Sequence, residues 1–66
     1  MDVIVNGERR RLADGATVAE AVRLVTAETS GVAAAVNDEV VSRAAWNATA
    51  VADGDRIEVL TAVQGG

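Results

Sequence analysis

The spacing of apolar residues changes several times along the chain, and each change marks a structural element. In the opening segment, MDVIVNGERRRL, Val3 and Val5 share one face of an extended strand with Met1 in phase, because strand side chains alternate faces. Ile4 points the other way and is an apolar residue expected at the surface. Asn6-Gly7 supplies the positive φ angles of a tight type I′ turn, so residues 1–12 predict a hairpin. The period then lengthens to that of a helix. After Asp14-Gly15, the residues Val18, Ala21, Val22 and Val25 fall on one face, with Glu20 and Arg23 opposite and Leu24 flanking the stripe. Thr17 and Glu20 have the spacing of a capping box at its start, and Gly31 is placed to end the unit.

Beyond Gly31 the chain reads VAAAVN, a continuous apolar run expected to be a strand that is central or buried on both faces. Asn37-Asp38 turns it into a brief EVVS. Residues 43–52 have no clear period and are expected to wrap the core as a loop or short helix. Asp53-Gly54 opens the final strand, in which Ile57 and Val59 alternate with Arg56 and Glu58 as in a half-buried strand. Leu60 breaks that alternation with an apolar side chain at a polar position. Two strands, a helix and three further strands predict an α+β two-layer fold, with a sheet and a single helix packed across one of its faces.

Composition narrows the picture. Sixty-six residues make one domain, spanning 1–66, and a chain of this size buries only about 60% of the surface its unfolded form exposes. With no Phe or Tyr and a single Trp, the core must be built from Val, Ala, Ile and Leu, with Trp46 as a packing residue. The net charge of −4 argues against a nucleic-acid partner, which would need a basic face. The only basic run, Arg9-Arg10-Arg11, reads as a solvated edge strand, with alternation sending Arg10 to the opposite face from its neighbours. No apolar run approaches the roughly 20 residues of a membrane span, and the first residues lack the pattern of a signal peptide. A cytoplasmic protein is therefore expected, with no membrane partner.

The catalytic inventory is nearly empty. Without cysteine or histidine the chain has no thiol nucleophile, no disulfide and none of the commonest general base. Asp53 and Asp55, or Asp38 and Glu39, read as turn chemistry rather than as a metal or acid–base pair, and no metal site is expected. No glycine spacing matches a phosphate loop. What remains is the end of LTAVQGG. A terminal carboxylate can be activated by a partner enzyme with ATP as an acyl-adenylate, whose carbonyl then accepts a nucleophile. Such a carrier needs an extended end without Cβ atoms, projecting from a rigid body, and Gly65-Gly66 meets that need. A frayed end of small residues is the equally open alternative.

The chain resembles the ThiS family, the sulfur carriers of thiamine biosynthesis. The likeness rests on VNGE, TVAE, GVAAAVNDEVVSRAAW and DGDRIEVLTAVQGG and covers essentially the whole length. The resemblance implies the ubiquitin-like β-grasp fold: a mixed sheet of four to five strands, with first and last strands parallel at its centre and residues 62–66 a flexible tail. It implies a carrier without catalytic residues or bound cofactor. Gly66 would be adenylated by an E1-like adenylyltransferase using ATP, then converted to a thiocarboxylate with sulfur from a sulfur-donor enzyme. Sulfur would pass to thiazole synthase. Gly65 would supply clearance, while Leu60, Ile4, Val63 and Gln64 would meet the partners of a monomeric carrier. Ser42 stands where relatives commonly carry proline, which loosens a turn, and the helix is richer in Ala and Val than usual. Two alternatives remain: a sister carrier serving molybdopterin or cysteine synthesis, and a non-covalent ubiquitin-like module with an inert tail.

Overall fold

A computed structural model describes residues 1–28 and 30–62 of the chain. Five strands form one mixed sheet: β1 (Asp2–Val5), β2 (Glu8–Arg11), β3 (Val32–Val36), β4 (Glu39–Val41) and β5 (Arg56–Thr61). They lie in the order β2-β1-β5-β3-β4, so the last strand in sequence occupies the centre. β1 and β5 run parallel, with Ile4 opposite Arg56 and Val5 opposite Ile57. The other pairs are antiparallel. A parallel pair cannot be closed by a tight turn, so the chain between its two members must cross the sheet. It does so through α1 (Val18–Arg23), the β3–β4 hairpin and a 3₁₀ helix at Arg43–Ala48.

Turn chemistry fixes both hairpins. Asn6 and Gly7 sit at φ 49° and 82°, and Asn37 and Asp38 at 49° and 73°. These are left-handed conformations, which Gly adopts freely and Asn and Asp tolerate better than other residues. The primed turns they form match the right-handed twist of the flanking strands.

The core lies between the sheet and its single helical layer. Val3, Val18 and Ile57 are its most deeply buried larger side chains, joined by Val5, Val22, Val59 and Trp46. Burying a side chain of the Val or Ile kind stabilises by about 1.5–3 kcal/mol. No charged or polar side chain is buried among the described residues. Trp46 is only 4% exposed, and its indole N–H donates to the Val41 carbonyl at 2.9 Å. The Arg43 guanidinium stacks over the ring, 4.8 Å from its centroid. The lone aromatic is thus a packing residue, as its isolation in the sequence implied.

Two expectations need correction. The helix is shorter than its apolar stripe: it ends at Arg23, and Leu24 and Val25 form a turn in which the Val25 N–H still reaches the Val22 carbonyl. Val25, assigned from spacing to the buried face, is consequently 41% exposed. The adjacent β-branched residues Val25 and Thr26 are weak helix formers, and the Thr26 hydroxyl instead accepts the Glu28 N–H at 3.0 Å. At the helix start, the Thr17 N–H donates to the Glu20 carboxylate at 2.8 Å, as the capping spacing requires. The second correction concerns β3, which lies inside the sheet between β5 and β4 as one reading had it, but is not buried on both faces. Ala34 points into the core, whereas Ala33 is exposed, because one helical layer covers only one side of the sheet. The run is continuously apolar because alanine is tolerated on an open face, not because that face is covered.

Ser42 caps the 3₁₀ helix with φ −63° and ψ 149°, and its carbonyl accepts the Ala45 N–H at 2.9 Å. That is the φ which proline fixes, and the preceding residue is already extended, as proline requires. The turn therefore holds a proline-compatible shape without the ring. Ser42→Pro is expected to raise stability by about 0.4–1 kcal/mol, by restricting the unfolded chain. Urea denaturation checks this, and a loss of stability would show that the Ser42 N–H is needed.

Candidate functional site: the last strand and the open face of the sheet

Because β5 lies at the centre of the sheet, whatever follows it leaves from the most supported strand. On one side β3 accompanies it throughout, from Val36 opposite Ile57 to Val32 opposite Thr61. The Ala62 N–H then donates to the Gly31 carbonyl at 2.7 Å. On the other side β1 turns away at Asn6, leaving Val59 without a strand neighbour. The Asn6 side chain takes that place: its amide donates to the Val59 carbonyl at 3.1 Å, and its oxygen accepts the Val59 N–H at 2.8 Å.

A second asparagine holds the beginning of the strand. The Asn37 N–H donates to the Arg56 carbonyl at 2.8 Å, and its side-chain oxygen accepts the Arg56 N–H at 3.0 Å. Its amide nitrogen donates to Asp55, whose other carboxylate oxygen accepts the Ala52 N–H at 2.7 Å. Asp53 likewise accepts the Asp2 N–H at 2.7 Å. Asp55 thus closes its own turn through Ala52 and also ties it to Asn37, whereas Asp53, expected to serve its turn, instead reaches across to the start of β1. No group of acidic residues suited to a metal ion occurs among the described residues.

The sheet face away from α1 is open. Alternation brings Ile4, Arg56, Glu58, Leu60, Ala33, Ala35 and Val40 to it, as the pairing of Leu60 with Ala33 and of Ala35 with both Glu58 and Val40 requires. Leu60 is 70% exposed and Val40 82% exposed. With the small side chains of Ala33 and Ala35 between them, they border a shallow apolar depression, with Glu58 at its edge. Ile4, 38% exposed, also lies on this face, but opposite Arg56. It is four residues from Leu60 along the strand direction, about 13 Å at strand rise. The two apolar residues that broke the sequence pattern therefore share a face without touching.

Arg9 stands beside Ile4 on the outer strand, whereas Arg10 pairs with Val3 and turns to the helical side. The basic run is split by alternation as expected. Arg56 forms an exposed ion pair with Asp38 at 3.1 Å. Val40 was missed as a surface residue. Its signal was present: in EVVS two adjacent valines cannot both face the core of a strand covered on one side. Val63, Gln64, Gly65 and Gly66 lie outside the described residues.

An open sheet face with an apolar depression beside a braced last strand, in a parallel-centred sheet packed on α1, is the form of a ubiquitin-like β-grasp carrier. Comparison with known proteins names the family. The ThiS family model matches residues 3–66, and the chain belongs to this family, the sulfur carriers of thiamine biosynthesis. It is 32% identical to the sulfur carrier protein ThiS of Escherichia coli over the whole of both chains. A crystal structure of a thiamine biosynthesis protein (ThiS) from Geobacter metallireducens superposes with a TM-score of 0.80 at 36% identity, covering all of both chains. A solution structure of a thiamine biosynthesis protein from the same organism gives the same TM-score of 0.80 and 36% identity, over all of this chain and 88% of that one. Members of the family carry sulfur rather than catalyse, and bind no cofactor of their own. No helix among the described residues is long and apolar enough to cross a membrane.

Gly31 is the residue on which the exit of β5 leans. It adopts φ 70°, and a Cβ there would lie 3.1 Å from the Ala62 Cβ. Gly31→Ala is therefore expected to destabilise the domain by about 1–2 kcal/mol, through the left-handed backbone and the close approach together. Chemical denaturation provides the check, and wild-type stability would show that the Gly31–Ala62 contact relaxes freely.

Proposed function

We propose that the carboxylate of Gly66 is the sulfur-bearing group of this carrier. An E1-like adenylyltransferase binds the domain and ATP, and a Gly66 carboxylate oxygen attacks the α-phosphorus, releasing pyrophosphate and leaving an acyl-adenylate. Hydrosulfide, released by a sulfur-donor enzyme, then attacks the carbonyl carbon. The carbon–sulfur bond forms as the acyl–oxygen bond breaks, AMP departs, and the sulfhydryl proton goes to solvent. The resulting thiocarboxylate gives its sulfur to thiazole synthase. Gly65 has no Cβ and so lets the end enter a narrow channel.

The observation that supports this reading most is the match to the Escherichia coli carrier, which extends across the whole of both chains and so includes Gly65-Gly66. The near absence of catalytic side chains is consistent with it, since chemistry at a terminal carbonyl asks nothing of them. Leu60 and Ile4, with Val63 and Gln64 beyond the described residues, form the surface that partners grip, and Val40 extends it at the far side of the depression. The carrier acts as a monomer in the cytoplasm, because one face must serve several enzymes in turn.

Incubation with ATP, the cognate adenylyltransferase and sulfide is expected to replace one oxygen by sulfur, with tandem mass spectrometry locating the change at Gly66. A chain carrying one added alanine after Gly66 is expected to stay unmodified. Modification of the extended chain at an internal site, or no mass change in the wild type with a competent enzyme, would contradict the proposal. Leu60→Asp is expected to weaken binding to the adenylyltransferase about tenfold or more, while the melting profile stays close to wild type. An unchanged affinity in calorimetric titration removes Leu60 from the interface.

A further inference from the structure

We infer that Asn6 is a positioning residue for the carrier's end, acting as a one-residue substitute for a strand. This inference rests on the reading of Gly66 as the reacting group. It begins from the mismatch between two flanks. β3 supports β5 as far as Thr61, but backbone pairing from β1 stops opposite Ile57, where the chain turns back into β2. The Asn6 N–H still donates to the Ile57 carbonyl at 2.9 Å. One step further along β5, the Asn6 carboxamide presents an acceptor and a donor in the order a strand backbone would. Both the N–H and the carbonyl of Val59 are thereby held.

The left-handed turn makes this possible. At φ 49° the backbone leaves the sheet while the side chain continues in its direction. The turn alone accepts glycine or aspartate, but neither offers both a neutral donor and an acceptor. Asn6 thus combines a turn residue with a clamp on the strand from which the end departs.

Without the clamp, the β1 flank of the strand would be unsupported from Val59 onward, and the exit would sample more directions. Docking into an enzyme would then have to remove that freedom, which weakens binding without altering the chemistry of the bound state. Asn6→Gly keeps the turn and loses both side-chain bonds. In steady-state thiocarboxylation, with carrier as the varied substrate, its KM is expected to rise about tenfold, the size expected for two hydrogen bonds, with kcat within about twofold of wild type. Asn6→Asp keeps the acceptor for the Val59 N–H and loses the donor; its KM is expected to lie between the two. It carries the test if the glycine variant fails to fold.

Gly7→Ala separates positioning from plain loss of stability. It strains the same turn at φ 82°, with nothing within 4 Å of the added Cβ, and leaves the clamp in place. It is expected to lower the melting temperature yet leave KM as in wild type. A wild-type KM for Asn6→Gly, or an equal rise for Gly7→Ala, overturns the assignment. A wild type that never gains sulfur overturns the carrier reading and this inference together, whereas a modified wild type with an unaffected Asn6→Gly overturns the inference alone.

Discussion

Everything in this domain is arranged around the pairing of its two ends, the parallel contact of β1 with β5. A parallel pair at the centre of a sheet forces a crossover, and the crossover supplies α1 and the 3₁₀ helix, whose buried side chains cover one face. It also leaves β5 with a neighbour on each side, so the last strand is the best supported rather than the most frayed. The short β1 cannot serve that role alone. Asparagine side chains complete the pairing where backbone is missing, Asn37 at the start of β5 and Asn6 toward its exit. Each does so from the left-handed position of a hairpin turn, so the residues that close the hairpins also hold the strand between them.

One helical layer on a five-stranded sheet leaves the second face bare, and the sequence adapts to that exposure in two ways. Much of the open face is small or charged, as with Ala33, Ala35, Arg56 and Glu58. Leu60 and Val40 depart from this, and their large apolar side chains flank the alanines. Small side chains at the centre leave a depression while large ones border it, a form suited to receiving an apolar group from a partner. The same strand thus carries the proposed gripping surface on one face and core residues on the other, before leading to the proposed reacting end. For a protein that offers no side-chain chemistry, such economy of placement is a sufficient design.

Much of this was legible in the residues. Asn-Gly, Asn-Asp and Asp-Gly marked the turns, the capping pair Thr17 and Glu20 marked the helix start, and Ile57 and Val59 revealed the buried phase of the last strand. Leu60 and Ile4 declared themselves by breaking alternation. The parallel placement of first and last strands came only with the family resemblance, since local spacing says nothing about which strands meet. The helix end was misread because Val25 continues the apolar period while it and Thr26, both β-branched, oppose the helix, and periodicity does not register that conflict. The interior place of β3 was legible, but its burial was misread, because alanine is small enough to stand on an open face as well as to pack under a helix. The asparagine clamps lay beyond local reasoning, since turn propensity explains Asn6 and Asn37 fully without the distant strand they hold.

On this view β5 is held as firmly at its asparagine-bonded position Val59 as where it pairs with a strand. Native-state amide hydrogen exchange of the wild-type domain tests it most directly, by comparing Arg56 and Val59 with their strand-paired neighbours. The Val59 amide is expected to exchange only through global unfolding, with the same free energy of opening as the most protected amides of the sheet, and Arg56 to be protected well above an unbonded amide. Exchange of Val59 by local opening, at a free energy well below that of global unfolding, would contradict it.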